Sequence, residues 1–166
     1  MIARRTIPSP LGPLILTADA GALVSLHYGG RIDDPAGADP VLAEAASQLV
    51  AYFDHRLKAF DLPFKLSGSS FQSAVWDAML RIPYGATRNY GELAQDIGGV
   101  ARAVGVACGE NPIAIVVPCH RVIGAGGKLT GYSGGRGVDT KAWLLRHECA
   151  VPMSDQLSLF AQRASR

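Results

Sequence analysis

Hydrophobic and polar positions alternate through the first 28 residues, which is the pattern of half-buried β-strands. Strands are predicted at Ile2–Ile7, Pro13–Ala18 and Ala22–Tyr28, with turns at Ser-Pro-Leu-Gly and Asp-Ala-Gly between them. Because tight turns of this kind join antiparallel neighbours, we expect a three-stranded antiparallel meander.

Apolar residues then recur every three or four positions, which predicts an amphipathic helix over Val41–Arg56. The apolar stripe of this helix consists of Leu42, Ala45, Leu49, Tyr52 and Phe53. Phe60–Phe64 is expected to return as an edge strand, since Pro63 has no amide hydrogen to give to a central strand.

A run of small polar residues from Leu66 to Ser70 predicts a boundary between two domains. We expect an N-terminal domain over residues 1–66, a C-terminal domain over residues 67–150 and a flexible tail over residues 151–166. The predicted fold class is α+β, in which a small antiparallel sheet with one helix precedes a mostly helical domain.

The helices predicted in the second domain are Phe71–Leu80, Tyr90–Ile97, Ala101–Cys108 and Thr140–Cys149. The middle two have the layout of a helix-turn-helix, although an ordinary helical hairpin shows the same pattern. Arg102 is the only long polar side chain of its helix. If this helix meets DNA, it should therefore approach closely and read little base sequence.

The candidate chemistry lies in the segment Ile113–Val122. A strand-like apolar run leads toward the interior, Pro118 interrupts it, and Cys119 and His120 follow. By itself such a pair is more typical of a structural cysteine beside a hydrogen-bonded histidine. Glu148, however, is predicted at the C-terminal end of the last helix, where the helix dipole disfavours a carboxylate. It needs a compensating partner, and a histidine is one candidate.

Composition limits the classes of protein to which this chain can belong. The net charge of +2 is too small to indicate nucleic-acid binding by itself. The 3 cysteines are odd in number and form no C-x-x-C pair, which argues against a disulfide framework and a zinc site. We find no signal peptide and no apolar run of spanning length, so we expect a cytoplasmic protein.

Several motifs occur together in one order along the second half of the chain, and they resemble those of the O6-alkylguanine-DNA alkyltransferases, a family of suicide DNA-repair proteins. These motifs are Phe71-Gln72-x-x-Val75-Trp76, Ile82-Pro83-Tyr84-Gly85, Tyr90-Gly91-Glu92-Leu93-Ala94, Ala101-Arg102-Ala103-Val104-Gly105, Asn111-Pro112, Pro118-Cys119-His120-Arg121-Val122, Gly131-Tyr132-Ser133-Gly134-Gly135 and Leu144-Leu145-x-x-Glu148. The N-terminal half fits the family's variable domain in size and layout, but carries no comparably specific motif.

The resemblance implies a catalytic role for four residues. Cys119 would accept the alkyl group, and His120 would act as its base through a water molecule. Glu148 would orient His120, and Asn111 would be the hinge that braces the active-site segment. This arrangement is chemically coherent, because a thiolate is the nucleophile and an imidazole held by a carboxylate can take its proton. Arg121 has no role in this scheme.

The resemblance also implies contacts to the substrate. Tyr90 and Ser133 would offer hydroxyl groups to the guanine, and Tyr132 would form a wall of the pocket. The backbone carbonyls of Cys119 and Val122 would accept the exocyclic amine of the base.

Arg102 would fill the gap left by a nucleotide flipped out of double-stranded DNA through binding in the minor groove. The implied reaction is one irreversible transfer per molecule from O6-alkylguanine, with O4-alkylthymine as a candidate second substrate. It needs no cofactor and no metal. We expect a monomer that binds DNA independently of its sequence.

A pentapeptide in the tail, Gln156-Leu157-Ser158-Leu159-Phe160, resembles the motif by which bacterial repair and replication proteins bind the sliding clamp. Apolar anchors at the end of an extended segment suit such a contact. A packed or frayed terminus is the alternative.

Two other classes of protein are compatible with parts of this pattern. A helix-turn-helix regulator would bind a specific DNA sequence and would not need Cys119. A hydrolase with a Cys-His-Glu triad would turn over a small ester or peptide.

Overall fold

The computed structural model describes residues 1–32 and 39–152. The first sheet consists of β1 (Ile2–Ile7), β2 (Leu14–Asp19) and β3 (Ala22–Tyr28), which pair antiparallel in that order. The predicted meander is therefore confirmed. One face of the sheet is buried through Leu14, Leu16, Leu23 and Leu26.

Helix α1 (Pro40–Phe53) lies against this sheet and buries the predicted stripe except for Phe53, which is half-buried. Asp39 begins the helix, because its Oδ1 accepts hydrogen bonds from the amides of Val41 and Leu42 at 2.9 and 3.0 Å. The helix ends three residues earlier than predicted. His55 adopts a φ of +60°, which an α-helix cannot contain.

The predicted edge strand over Phe60–Phe64 is wrong, and the strand-like run in Ile113–Val122 does not form a strand over its length. Phe60–Phe64 makes only one isolated bridge, between Phe64 and Leu23, since Pro63 interrupts the pairing that a strand requires. Ile113–Val122 is buried as expected, but it turns instead of extending. Ile113 bridges to Leu26, Ile115 has a φ of +71°, and a 3₁₀ turn covers Cys119–Arg121.

The helix-turn-helix is formed by α3 (Tyr90–Ile97) and α4 (Ala101–Gly109), and α3 has the predicted bounds. Gly98 ends α3 in the left-handed conformation, with a φ of +73°. The preceding helix, α2 (Ser70–Leu80), is joined to α4 by the buried Trp76, whose Nε1 donates to the carbonyl of Ala107 at 2.9 Å.

A second small sheet has no counterpart among the predicted elements. Its central strand, β4 (Ala86–Asn89), pairs in parallel with β5 (Val122–Ile123) on one side and β6 (Val151–Pro152) on the other. This sheet fixes the start of α3 beside the end of the cysteine segment.

The last helix, α5 (Val138–His147), ends directly before Glu148. One hydrophobic core runs through both halves of the chain, and the α+β fold class is confirmed. No helix among the described residues is long and apolar enough to cross a membrane.

Candidate active site

Asn111 fixes the backbone around Cys119, the first residue of the 3₁₀ turn. The amide Nδ2 of Asn111 lies 3.3 Å from Cys119 Sγ and donates to the carbonyl of Val117 at 2.8 Å. Its Oδ1 accepts the amide of Ile113 at 3.0 Å. The Asn111 side chain thus holds both the backbone before Cys119 and the Cys119 sulfur.

The Cys119 thiol is held in its protonated form. Burial raises the pKa of Cys119, and the hydrogen bond from Asn111 and the charge of Lys141 offset only part of that increase. Since the thiolate is the nucleophilic species, the thiol needs a base next to it before it can react.

His120, the next residue after Cys119, is fully buried. Its Nε2 lies 2.6 Å from Glu148 Oε2, while its Nδ1 is buried without a hydrogen-bond partner among the described residues. Burial lowers the pKa of His120, so the resting imidazole is neutral. An ionised carboxylate can only accept, so Nε2 carries the proton and Nδ1 keeps a free lone pair.

Glu148 is held by three donors. Besides His120, its Oε2 accepts the hydroxyl of Tyr52 at 2.6 Å, and its Oε1 accepts Arg121 Nε at 2.7 Å. Burial alone would raise the pKa of Glu148, but the hydrogen bonds from His120 and Arg121 and the positive charge of Arg121 lower it to about 2. The carboxylate is therefore ionised while it lies in the protein interior.

Arg121 and Tyr52 are the contacts that the sequence analysis missed. Arg121 supplies the compensating charge at the helix end, and its guanidinium also donates to the carbonyl of Ile82 at 2.8 Å. The unfavourable position of Glu148 did signal a partner. The partner expected from the sequence was a histidine. The permanent positive charge beside Glu148 is instead carried by Arg121, the residue that follows His120.

Cys119 faces a cavity of about 720 Å³ that both halves of the chain enclose. Three other predicted site residues line it: Asn111, Tyr132 and Ser133. The N-terminal half contributes Leu11, Pro13, Leu26, His27, Tyr28 and Gly29. This volume is large enough to admit a nucleobase, and Cys119 lies in the cavity wall.

A pair of tyrosines joins the N-terminal half to the glycine-rich loop across this cavity. The hydroxyls of Tyr28 and Tyr132 lie 2.6 Å apart, and the rings meet edge to face with their centroids 6.1 Å apart. Gly134 permits this approach, because a Cβ there would lie 2.5 Å from the Tyr28 ring. The loop wall is thus tied to β3.

Tyr90 lies beside the cavity without lining it. Its hydroxyl donates to the carbonyl of Thr130 at 3.2 Å and accepts Lys141 Nζ at 3.3 Å. Burial raises the pKa of Tyr90 to about 12, so the phenol keeps its proton. Lys141 is buried in α5 and also donates to Thr130 at 2.9 Å. The sequence analysis did not identify this lysine.

The other residues predicted to contact the substrate or DNA, Val122, Ser133 and Arg102, lie in different parts of the structure. Val122 is buried in β5, and the Ser133 hydroxyl donates to the carbonyl of Gly109 at 3.3 Å. Arg102 is exposed on the first turn of α4, outside the cavity. Within residues 1–32 and 39–152, no three His, Cys, Asp or Glu side chains are grouped so as to hold a metal ion.

Two domain models of one family match the chain. The ribonuclease-like domain of 6-O-methylguanine DNA methyltransferase matches residues 2–66, and the DNA binding domain matches residues 70–150. A methylated-DNA–protein-cysteine methyltransferase of Mycobacterium tuberculosis is 50% identical over 167 residues, covering 96% of this chain and 99% of its own. One from Methanosarcina acetivorans is 47% identical over 148 residues, covering 84% of this chain and 94% of its own.

Solved structures agree with this comparison. The crystal structure of Mycobacterium tuberculosis OGT in complex with DNA superposes with a TM-score of 0.80 at 49% identity, covering 95% of this chain and 99% of that one. An O6-methylguanine-DNA methyltransferase from Pyrococcus kodakaraensis, at 21% identity and a TM-score of 0.53, shares the fold over 89% of this chain and 99% of that one.

The fold and the site define an α+β protein in which a buried cysteine lies at a cavity beside a helix-turn-helix. The chain belongs to the 6-O-methylguanine DNA methyltransferase family, as the resemblance in its sequence indicated.

We predict that Glu148→Gln removes stability that depends on pH. The folded-state pKa of Glu148, about 2, lies below its ordinary value of 4.5, so the carboxylate stabilises the fold above pH 4.5 and loses that contribution as the pH falls toward 2. At pH 7 the variant should be less stable by on the order of 2–3 kcal/mol, and the gap should narrow below pH 4.5. Urea unfolding across this range measures it.

The exposed carboxylate of Asp77 on α2 provides the matched control. Asp77→Asn should change the stability at pH 7 by only a small amount, because its side chain is exposed. A gap for Glu148→Gln that stays constant with pH would contradict the assignment of a buried, ionised carboxylate.

Proposed function

We propose that this chain repairs DNA by moving the alkyl group of O6-alkylguanine, with O4-alkylthymine as a second substrate, irreversibly to the sulfur of Cys119. One observation carries the proposal: Cys119 faces the cavity, and its neighbour His120 is hydrogen-bonded to an ionised Glu148. A thiol that opens on a cavity large enough for a nucleobase, with an imidazole on the next residue, has the parts of an alkyl acceptor. Family membership and the relative solved in complex with DNA support the same reaction.

The transfer balances with the residues present. The Cys119 proton passes to His120 Nδ1 through a water molecule, and the imidazolium is stabilised by Glu148. The sulfur attacks the alkyl carbon in line, the S–C bond forms, and the bond from carbon to O6 breaks. The electron pair stays on the guanine, which then takes up a proton. Asn111 holds the sulfur and its segment during the attack.

The flipped guanine would lie between the site segment and the glycine-rich loop. Tyr90 would donate to the base as negative charge develops on it, after exchanging its bond to Thr130 for the substrate. Ser133 would offer a second hydroxyl and Tyr132 a wall. The carbonyls of Cys119 and Val122 would accept the exocyclic amine.

Helix α4 is the proposed contact to double-stranded DNA. Its residues are small apart from the exposed Arg102, so the helix can approach the minor groove closely and read little sequence. Arg102 would enter the base stack and recover part of the cost of flipping, which is a few kcal/mol.

The product is a thioether, which is not activated for hydrolysis. Each molecule would therefore act once, without a cofactor. We further propose that the chain works as a monomer in the cytoplasm. Its organisation would be a domain over residues 1–66, a domain over residues 67–150 and a tail over residues 151–166, and the two matched family domains support the first boundary.

The tail would add a partner. The pentapeptide from Gln156 to Phe160 lies outside the described residues, so its support is the sequence motif alone. We propose that it binds the sliding clamp and so raises the local concentration of the protein at replicating DNA.

The decisive experiment follows the alkyl group. On duplex DNA carrying labelled O6-methylguanine, the label should move covalently to Cys119 with at most one group per protein molecule. Cys119→Ser should lose transfer entirely and keep DNA binding. More than one group removed per molecule would indicate a hydrolase, and sequence-specific binding without transfer would indicate a regulator.

Arg102→Ala should slow repair of duplex DNA while leaving the reaction with the free base O6-methylguanine near the wild-type rate. The reason is that the free base needs no flipping. Single-turnover rates on both substrates measure the difference, and we expect roughly ten-fold or more on duplex. Arg81→Ala, at the exposed end of α2, is the matched control. An equal loss on both substrates would exclude the flipping role.

The isolated tail peptide should bind the clamp, and a peptide in which Leu159 and Phe160 are changed to Ala should not. Fluorescence anisotropy with the labelled peptides measures this. Equal signals from the two peptides would count against the contact.

A further inference from the structure

Tyr52 connects the N-terminal half of the chain to the centre of the active site. It lies in α1, is fully buried, and donates its hydroxyl to Glu148 Oε2 at 2.6 Å, although 96 residues separate the two. Burial and the neighbouring carboxylate raise the pKa of Tyr52 well above its ordinary value, so the phenol always has a proton to give.

The position of this hydrogen bond on the carboxylate is informative. Oε2 also accepts His120 Nε2 at 2.6 Å, while Arg121 binds the other oxygen. The phenol and the imidazole therefore share the lone pairs and the charge of one oxygen atom. A donor on that atom reduces the negative charge that the imidazole experiences.

Packing holds the phenol in place. The Tyr52 ring meets the rings of Phe53, Phe60, Tyr84 and His147 at centroid distances of 5.2, 5.5, 6.1 and 5.1 Å. His147 Nε2 also donates to the Tyr52 carbonyl at 2.9 Å. The hydroxyl therefore cannot turn away from Glu148 without moving a packed cluster.

We propose that Tyr52 is a positioning residue for alkyl transfer, which fixes the Glu148 carboxylate against His120 and, by sharing Oε2, limits how strongly that carboxylate holds the imidazole proton. The inference deepens the proposed function and rests on it. It gives the N-terminal half a part in the chemistry, in addition to a wall of the cavity.

The contribution of the Tyr52 hydroxyl can be separated from that of the charged and titratable groups around Glu148 and His120. His120 and Arg121 come from the 3₁₀ turn, Tyr84 from the loop before β4, and Lys141 from α5. Removing the Tyr52 hydroxyl leaves all of them in place. Tyr84 provides a matched ring in the same cluster, because its hydroxyl donates to the carbonyl of His147 at 3.3 Å and not to Glu148.

The direction of the effect follows from the geometry. Without the Tyr52 donor, Oε2 presents more negative charge to His120, and the imidazolium becomes more stable. The pKa of His120 should rise, and protonated His120 cannot accept the proton of the Cys119 thiol. The rate of transfer should fall at low pH, where His120 is protonated. This acid limb of the pH–rate profile should therefore move to higher pH.

The test compares second-order rate constants for transfer from the free base O6-methylguanine between pH 5 and 9. Tyr52→Phe keeps the ring and should shift the acid limb upward by about one pH unit, which is about a ten-fold loss of rate below the limb. Tyr84→Phe should leave the limb in place. A purely structural role would lower the rate at every pH without a shift, and an unmoved limb in Tyr52→Phe overturns the proposal.

Two further measurements keep the outcomes distinct. Replacing Tyr52 by 3-fluorotyrosine strengthens the donor and should move the limb downward, so absence of any shift in a folded protein also overturns the proposal. The ¹⁵N shifts of the His120 ring, titrated without substrate, should show the same upward displacement in Tyr52→Phe. If the wild type transfers no alkyl group, the proposed function fails, while the titration still decides the role of Tyr52.

Discussion

A carboxylate buried at the meeting point of three elements is the constraint on which the rest of this structure depends. An unpaired charge in a protein interior is costly, so the carboxylate of Glu148 needs hydrogen-bond donors around it. The donors come from α1, from the 3₁₀ turn through His120, and from the same turn through Arg121. Satisfying one charge thus positions the end of α5, the nucleophile segment and the N-terminal helix relative to one another.

Local periodicity was sufficient to predict most of the fold. The meander and the helices α1 to α5 follow patterns that a few neighbouring residues determine, and Asn89 and Gly98 set the bounds of α3. The errors fall where pairing depends on distant segments. The strands β5 and β6 have two residues each and pair with β4 across long stretches of chain, so no local pattern marks them. Ile113–Val122 has strand-like composition, but its backbone turns because Ile115 takes a positive φ and Pro118 interrupts pairing.

The site was predictable to the extent that its residues lie in recognisable motifs. Cys119, His120 and Glu148 were named through the family resemblance, and the structure brings His120 and Glu148 into contact. Tyr52 and Lys141 were missed, since in sequence each is an ordinary member of a helix. Their importance arises only from contacts with segments far along the chain, Tyr52 with Glu148 and Lys141 with Tyr90.

The burial of Cys119 also determines which electrophiles the protein can meet. A buried, protonated thiol should react slowly with small soluble alkylating agents, because few thiolates are present. Cys149, by contrast, is exposed. If each molecule transfers one alkyl group, as proposed, this burial would keep the sulfur for substrates that enter the cavity.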